Sequence, residues 1–278
     1  MNIGKNVTKV AAATINRVLS FFSLELSRKK PLKPSHIKAF DSLEGTLREA
    51  AAAGLSVGDH FDMRQGHPTA TQDTIDRMVA HGVFTDPIDR VCEIGPGSGR
   101  YLARVLSKCS PSYYEIYEPA KDWADWLVQR YRVVSQPCDG LSLGHSVSES
   151  SDLVQAHKVF VALPFMTTCR YFNEMARVVR PGGRVVFDIV TEDCMSEEVL
   201  AKWIASGSQY PTVVPKAFAV DYMRKRGLSF VDSFRVPLSV GLTECMIFLK
   251  KHLPSVSQVL LLIFSYAADV PIAPEIPI

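Results

Sequence analysis

The order of elements along the chain predicts an α/β fold, with a doubly wound and mainly parallel sheet covered by helices on both faces. Strand-like and helix-like segments alternate over about residues 71–252, as in parallel sheets, where a helix forms each crossover. The first strand runs directly into a glycine-rich loop, and the second ends on the acid Glu118. Both features are typical of the sheet edge at which ligands bind.

The glycine loop lies in the segment 91–102, which reads VCEIGPGSGRYL. Glycine adopts backbone conformations that other residues avoid and lets a ligand approach closely, and the following helix begins with unpaired N–H groups. A dinucleotide fingerprint is G-x-G-x-x-G, but here Arg100 stands at the position of the last glycine. The spacing is instead Glu93-x-Gly95-x-Gly97-x-Gly99.

The residues after the loop complete a β-α-β unit. Residues 100–108 are typical of a helix and residues 113–117 of a second strand, and Glu118 follows Gly99 by nineteen positions. An acid at the end of this strand can accept hydrogen bonds from both ribose hydroxyls of a nucleotide-like ligand. A solvated acid at a helix start is the alternative, and the upstream glycine loop favours the ribose role.

The spacing E-x-G-x-G-x-G resembles the first motif of class I S-adenosylmethionine-dependent methyltransferases. Residues 171–180 show helical spacing, and Pro181, Gly182 and Gly183 then lead into a strand at 184–190. This order is similar to the approach to the fifth strand in that family. The resemblance covers about residues 71–252. It implies a Rossmann-like sheet of seven strands with the last antiparallel, S-adenosylmethionine as cofactor, and methyl transfer to a small molecule or glycan.

The same resemblance implies roles for residues at the ends of later strands. After a third strand at 131–134, Asp139 with Gly140 would contact the adenine amino group, and an ordinary Asp-Gly turn is the alternative. The fourth strand, residues 151–157, would end beside the methyl group, which makes His157 the candidate general base. The preferred alternative for His157 is an imidazole that shapes the cofactor pocket without exchanging a proton.

The remainder of the predicted domain contains a candidate acceptor site and the closing elements. Glu192 and Asp193 follow the fifth strand and would either bind a polar acceptor or cap the next helix. Residues 195–206 and 216–226 are typical of helices. Residues 229–234 and 244–249 are typical of two closing strands.

Composition limits the class of function. The chain has 278 residues, 47% of them hydrophobic, and a net charge of +2, which allows one large core and provides no general reason to expect nucleic acid binding. The six cysteines form no C-x-x-C pair, so we expect no metal site and predict reduced thiols in a cytoplasmic protein. Cys92 and Cys245 fall in the first and last strands, where we expect them to be buried.

Residues 1–70 are predicted to form a helical extension and cap, ahead of a catalytic domain at 71–252 and a tail at 253–278. Residues 7–26 have the pattern of an amphipathic helix, and seven basic residues against one acid precede Pro34. We expect this helix to pack on the domain or on a second subunit, as in a homodimer. Peripheral contact of residues 5–33 with anionic lipid at the inner membrane face is the alternative.

Several features of these outer segments complete the prediction. Residues 15–28 resemble the leader of methyltransferases found with bacterial surface-polysaccharide assembly, which implies a role in that biosynthesis. Residues 38–53 and 71–81 are typical of helices. The polar stretch 58–68 between them is a surface loop or, as the resemblance implies, a cap over the cofactor and acceptor. The apolar run 259–264 is too short to span a membrane.

Two other function classes remain open at this point. A nicotinamide-dependent oxidoreductase would use the same β-α-β unit, but the third glycine arrives one position too early for it. A protein that keeps the fold for binding alone is the other class, although the intact motif residues disfavour it. An Asn-Pro-Pro-Tyr motif for methylating nucleic acid bases is absent from the sequence, which favours a small-molecule or glycan acceptor.

Overall fold

The computed structural model of the chain describes residues 42–207 and 210–252. The predicted amphipathic helix at 7–26, the basic segment 5–33 and the tail at 253–278 lie outside these residues. Of the helix predicted at 38–53, the structure describes Leu43–Ala52.

The helices are α1 (Leu43–Ala52), α2 (Val57–Arg64), α3 (Ala70–Ala80), α4 (Arg100–Leu106), α5 (Lys121–Tyr131), α6 (Phe165–Val178), α7 (Glu197–Ala205) and α8 (Lys216–Arg224), with a 3₁₀ turn at Glu192–Cys194. The strands are β1 (Arg90–Ile94), β2 (Tyr113–Tyr117), β3 (Val134–Ser135), β4 (Ser151–Ala156), β5 (Val179–Ile189), β6 (Leu228–Pro237) and β7 (Leu242–Lys250).

The strands form one seven-stranded sheet in the order β3-β2-β1-β4-β5-β7-β6. Strands β1 to β5 are parallel, and β7 runs antiparallel to both of its neighbours. The predicted doubly wound, mainly parallel sheet with an antiparallel last strand is therefore confirmed. The order of the strands reverses between β1 and β4, so the loops after these two strands open a crevice at the carboxyl edge.

Side chains alternate between two apolar layers, one on each face of the sheet. Val91 packs with the layer under α3 and α4, whereas its neighbour Cys92 packs with the layer under α6 and α8. The two cysteines predicted to be buried, Cys92 and Cys245, have no exposed surface. Burial on both faces is what continuous apolar strands of a parallel sheet require.

Two of the element boundaries that differ from the prediction have a local cause. The third strand is Val134–Ser135 rather than 131–134, because α5 continues to Tyr131 and ends on Arg132 in the left-handed conformation at φ 58°. The Pro-Gly-Gly sequence, predicted to precede the strand at 184–190, lies inside β5, which begins immediately after α6. There it coincides with an irregular register against β4 between Ser151 and Leu153, as expected for glycines at a β-bulge.

The polar stretch 58–68 contains a helix rather than only a loop. Ser56 caps the start of α2, with its Oγ accepting the N–H of Asp59 at 3.1 Å. Such an N-cap satisfies a donor that the first helical turn leaves unpaired. Within residues 42–207 and 210–252, no helix combines the length and apolar character needed to cross a membrane.

Candidate functional site

The glycine loop connects β1 to α4 at the crevice of the sheet. Gly95, Gly97 and Gly99 have φ values of 61°, 53° and 70°, in the left-handed region that residues with a Cβ avoid. A Cβ added at Gly95 would lie 2.8 Å from Cγ2 of Val159, and one at Gly99 would overlap Leu127. The loop therefore needs glycine for its backbone conformation and, at two positions, for space.

Glu118 lies directly beside this loop at the end of β2. Its side chain is buried, with Oε2 accepting the N–H of Gly97 at 2.8 Å and Oε1 accepting the N–H of Ala120 at 2.9 Å. Burial raises the pKa of Glu118, and the two backbone hydrogen bonds oppose that rise. A carboxylate has about four acceptor positions, so two remain for the hydroxyls of a ligand.

Glu93 starts the motif but lies inside the sheet layer. It accepts a hydrogen bond from the hydroxyl of Tyr114 on β2, and Gln155 on β4 donates to the same hydroxyl at 3.1 Å. Burial raises the pKa of Glu93 to about 7, with the Tyr114 and Gln155 hydrogen bonds opposing. These contacts support the base of the glycine loop, and direct cofactor contact by Glu93 remains a prediction.

Asp139 and Gly140 follow β3 in a tight turn. The carboxylate of Asp139 accepts the N–H groups of Leu141 and Ser142, each at 2.8 Å, and Gly140 has a φ of 70°. Partial burial would raise the pKa of Asp139, but these hydrogen bonds outweigh it and lower the pKa. The geometry matches the turn alternative, and the adenine contact remains a prediction.

His157 follows the last residue of β4 and is enclosed. Its side chain is 1% exposed and stacks on Tyr101 of α4, with ring centroids 4.2 Å apart and planes at 14°. Among the described residues, neither ring nitrogen has a hydrogen-bond partner. Burial lowers the pKa of His157 to about 4. The arrangement favours the pocket-shaping alternative, because such an imidazole binds a proton weakly, and the general-base role remains a prediction.

Glu192 and Asp193 lie in the 3₁₀ turn past β5 and are both exposed. Oε2 of Glu192 accepts the N–H of Lys216 at 2.8 Å and so caps α8. The expected cap of α7 is supplied by Ser196 instead, whose Oγ accepts the N–H of Val199 at 3.3 Å. Acceptor binding by Glu192 and Asp193 remains a prediction.

Helix α2 contacts the first turn of α4, a relationship that sequence reasoning missed. Buried Asp62 accepts the N–H and hydroxyl of Thr71 and an N–H of Arg100, the last at 2.7 Å. A Cβ at Gly58 would lie 3.0 Å from Cβ of Arg100, so the helices approach closely. A cavity of about 190 Å³ remains between them. Spacing along the chain contains no signal for this pairing of distant charges.

Lys158 and Asp188 form a second missed pair, at the ends of β4 and β5. The ammonium of Lys158 lies 3.1 Å from Oδ2 of Asp188. A signal existed here, because Asp188 interrupts the apolar run of β5, and a buried charge requires a partner. Over residues 42–207 and 210–252, no group of three or more His, Cys, Asp or Glu side chains is arranged to hold a metal ion.

The residues at the carboxyl edge fit S-adenosylmethionine in two respects. Three left-handed glycines let a ligand lie against the backbone, and buried Glu118 beside them keeps acceptor positions for ribose hydroxyls. The described residues supply both of these features by themselves.

Comparisons with known proteins agree with this fit. Residues 92–187 match the family model described as a methyltransferase domain. No curated protein sequence matches the chain. Among solved structures, magnesium protoporphyrin IX methyltransferase from Synechocystis PCC 6803 with bound S-adenosylhomocysteine has a TM-score of 0.53 at 11% identity, covering 88% of this chain and 100% of that chain.

Two structures from Burkholderia thailandensis show the same fold. The 1,6-didemethyltoxoflavin-N1-methyltransferase has a TM-score of 0.51 at 17% identity, covering 78% of this chain and 94% of that chain. An O-methyltransferase family protein has a TM-score of 0.52 at 18% identity, covering 75% of this chain and 67% of that chain. The family match, the sheet order and the glycine motif together identify a methyltransferase domain at residues 92–187 of this chain.

Proposed function

We propose that the chain methylates a small-molecule acceptor bound over the carboxyl ends of β4 and β5. The observation that carries this proposal is the close approach of Val159, three residues after the end of β4, to Gly95 of the glycine loop, where an added Cβ would lie 2.8 Å from Cγ2 of Val159. Because the two segments touch, a ligand on the loop and an acceptor on the segment after β4 would be neighbours. Alignment of two reactants is the main contribution that a protein makes to a direct group transfer.

The walls of the proposed acceptor site are apolar. Three half-buried side chains pack against the core here, namely Val159, Leu163 and Phe165. The ring centroids of Phe165 and of Phe218 on α8 are 5.2 Å apart. The segment is held in place because the N–H of Thr212 donates to the carbonyl of Val161 at 2.9 Å. These walls favour an acceptor with an apolar body over an extended glycan, which would need more polar partners.

The polar groups near this site have separate tasks. When bound, S-adenosylmethionine supplies an electrophilic methyl group on its sulfonium. Glu118 holds Gly97 in place and offers acceptors for ribose hydroxyls, and His157 closes the space beneath α4 by stacking on Tyr101. Glu192 and Asp193 are exposed beyond β5, where we propose that they bind a polar group of the acceptor.

A methyl-transfer assay with tritiated S-adenosylmethionine tests the proposal. The parent protein is incubated with metabolite fractions and with glycan fractions, and the Gly97→Val variant measures background labelling. We expect protein-dependent label in a low-molecular-weight, partly apolar product. Label confined to the glycan fractions would contradict the proposed acceptor class and support the surface-polysaccharide alternative.

The basic segment at residues 5–33 is proposed to place the enzyme rather than to act on the cofactor. Its excess of positive charge suits either a second subunit or an anionic membrane. After deletion of residues 1–34, we expect S-adenosylhomocysteine affinity to change by less than about threefold, since distant changes are nearly independent. Light scattering and co-sedimentation with anionic liposomes then distinguish the two placements. Loss of cofactor affinity in a folded truncated protein would contradict this division.

A further inference from the structure

We propose that Asp188 is a positioning residue that holds Lys158 in the left-handed conformation and thereby seats Val159 against Gly95 of the cofactor loop. The inference rests on the proposed site at the ends of β1 and β4. It adds a role for Asp188 on β5, whose hydrogen bond to the segment after β4 is made to the backbone of Lys158.

The first observation is that Asp188 contacts both the backbone and the side chain of Lys158. Oδ1 of Asp188 accepts the backbone N–H of Lys158 at 2.6 Å, and Oδ2 lies 3.1 Å from the ammonium. The same ammonium donates to Oγ1 of Thr243 on β7 at 2.5 Å. Residue 158 is therefore held from two neighbouring strands, and a simple ion pair would not require the backbone contact.

The second observation is the backbone conformation that these contacts hold. Lys158 has a φ of 59°, and it is one of three residues other than glycine with a positive φ in the described part of the chain. Because a Cβ makes this conformation unfavourable, surrounding contacts must maintain it. The carboxylate of Asp188 is 2% exposed, so water does not compete for the two hydrogen-bonding groups of Lys158.

The third observation connects this turn to the cofactor loop. The left-handed residue redirects the chain as it leaves β4, and Val159 comes to lie where a Cβ on Gly95 would be only 2.8 Å from it. On its other side, Gly95 donates its N–H to the carbonyl of Tyr117 at 2.9 Å. The start of the loop is thus held between the end of β2 and Val159. If residue 158 lost its left-handed conformation, Val159 would no longer support the start of the glycine loop.

Four proteins test this chain of contacts: the parent, Asp188→Ala, and two double variants that combine Asp188→Ala with Lys158→Gly or with Lys158→Ala. Both double variants remove the ammonium that Asp188→Ala would leave without its carboxylate partner. They differ only in the Cβ at position 158, which disfavours the left-handed conformation. Calorimetry measures affinity for S-adenosylhomocysteine, so no methyl acceptor is needed. An error in the proposed acceptor class would leave this readout unaffected.

We expect Asp188→Ala to weaken S-adenosylhomocysteine binding about tenfold, because the left-handed conformation is lost without its support. Lys158→Gly should restore affinity to within about threefold of the parent, whereas Lys158→Ala should not. Equal affinities of the two double variants would overturn the proposal, as would unchanged affinity in Asp188→Ala. If Asp188→Ala does not fold, the comparison of the two double variants still decides.

Hydrogen exchange of the ligand-free protein provides an independent readout. The N–H of Lys158 donates to a buried carboxylate in the parent, so we expect its exchange to be slow there and faster in the Lys158→Ala double variant. Equally slow exchange in that variant would show that Asp188 does not hold the turn and would overturn the proposal.

Discussion

The N–H of Gly97 donates to Oε2 of Glu118 at 2.8 Å across a sequence separation of 21 residues. This bond joins the middle of the glycine loop to the end of the neighbouring strand. Because Glu118 is also held by Ala120, its carboxylate has a defined orientation before a ligand arrives. One acid thus organises the loop, and we propose that its remaining acceptor positions bind the ribose.

Glu118→Gln is expected to weaken S-adenosylhomocysteine binding by tenfold or more, corresponding to about 1.5–3 kcal/mol for hydrogen bonds to a charged group. In Glu118 the two carboxylate oxygens each accept one N–H group, from Gly97 and from Ala120. A glutamine side chain has only one acceptor oxygen and cannot make both hydrogen bonds in this way. Calorimetry measures the affinity. Glu115→Gln is the control, because Glu115 is a buried acid on the same strand whose partners are Ser146 and Gln136. Equal affinities of the parent and Glu118→Gln would show that the ribose role is wrong.

Gly97→Val is expected to abolish S-adenosylhomocysteine binding, because a β-branched side chain disfavours the φ of 53° that shapes the loop. Gly227→Val is the matched control. Gly227 also has a positive φ, 82°, but a Cβ there would meet nothing within 4 Å and the residue precedes β6. We expect similar strain and retained binding in the control. Retained binding in folded Gly97→Val would contradict the loop assignment.

His157→Phe is expected to reduce kcat by less than about tenfold, whereas loss of a general base costs about 10²–10⁴-fold. The phenyl ring can keep the stacking on Tyr101, and the buried imidazole has a pKa lowered to about 4. Steady-state kinetics with the identified acceptor provides the measurement, with S-adenosylhomocysteine affinity as the control for pocket shape. A hundredfold fall in kcat at unchanged affinity would instead assign the proton transfer to His157.

Asp62→Ala is expected to lower the free energy of unfolding by about 3–5 kcal/mol, because it leaves the largely buried guanidinium of Arg100 without its carboxylate partner. Asp59→Ala should cost less than about 1 kcal/mol. Both pairs join α2 to α4 at 2.7 Å, but the side chains of Asp62 and Arg100 are 3% and 10% exposed, against 39% and 37% for Asp59 and Arg104. Urea denaturation measures both. Equal losses would show that burial does not determine the strength of these contacts.

Glu93 is expected to make stability depend on pH. Burial raises the pKa of its carboxyl to about 7 in the folded chain, against 4.5 for an exposed glutamate. Unfolding therefore releases a proton between these values, and the contribution of Glu93 to the free energy of unfolding falls as pH rises through this range, by at most about 1.4 kcal/mol per pH unit.

The free energy of unfolding of the parent and of Glu93→Gln, compared at about pH 5 and about pH 7, measures this contribution. The glutamine can still accept from Tyr114, so the difference between the two proteins should report the proton alone. We expect the variant to gain stability relative to the parent as pH rises. A constant difference between the two would show that Glu93 is ionised in the folded chain at both pH values.

Several parts of the site could be read from the sequence because they are local. The glycine loop, the following helix and Glu118 form one continuous β-α-β unit, in which hydrophobic periodicity and glycine spacing determine the local backbone. The antiparallel last strand followed from the family resemblance, and the structure confirmed it. For the same local reason, the helix at 70–80 was predicted within one residue of its ends.

Only the tertiary structure decided which distant charges meet and which polar groups lose contact with water. Asp62 and Arg100 lie 38 positions apart, and Lys158 and Asp188 lie 30 positions apart. Asp188 in an apolar strand signals that it needs a partner, but no local pattern indicates which residue that partner is. The pKa of His157 is likewise a result of packing, because its environment comes from α4 and β5. Local propensity determines where strands and glycine turns form, whereas burial and partner choice depend on which elements the sheet brings together.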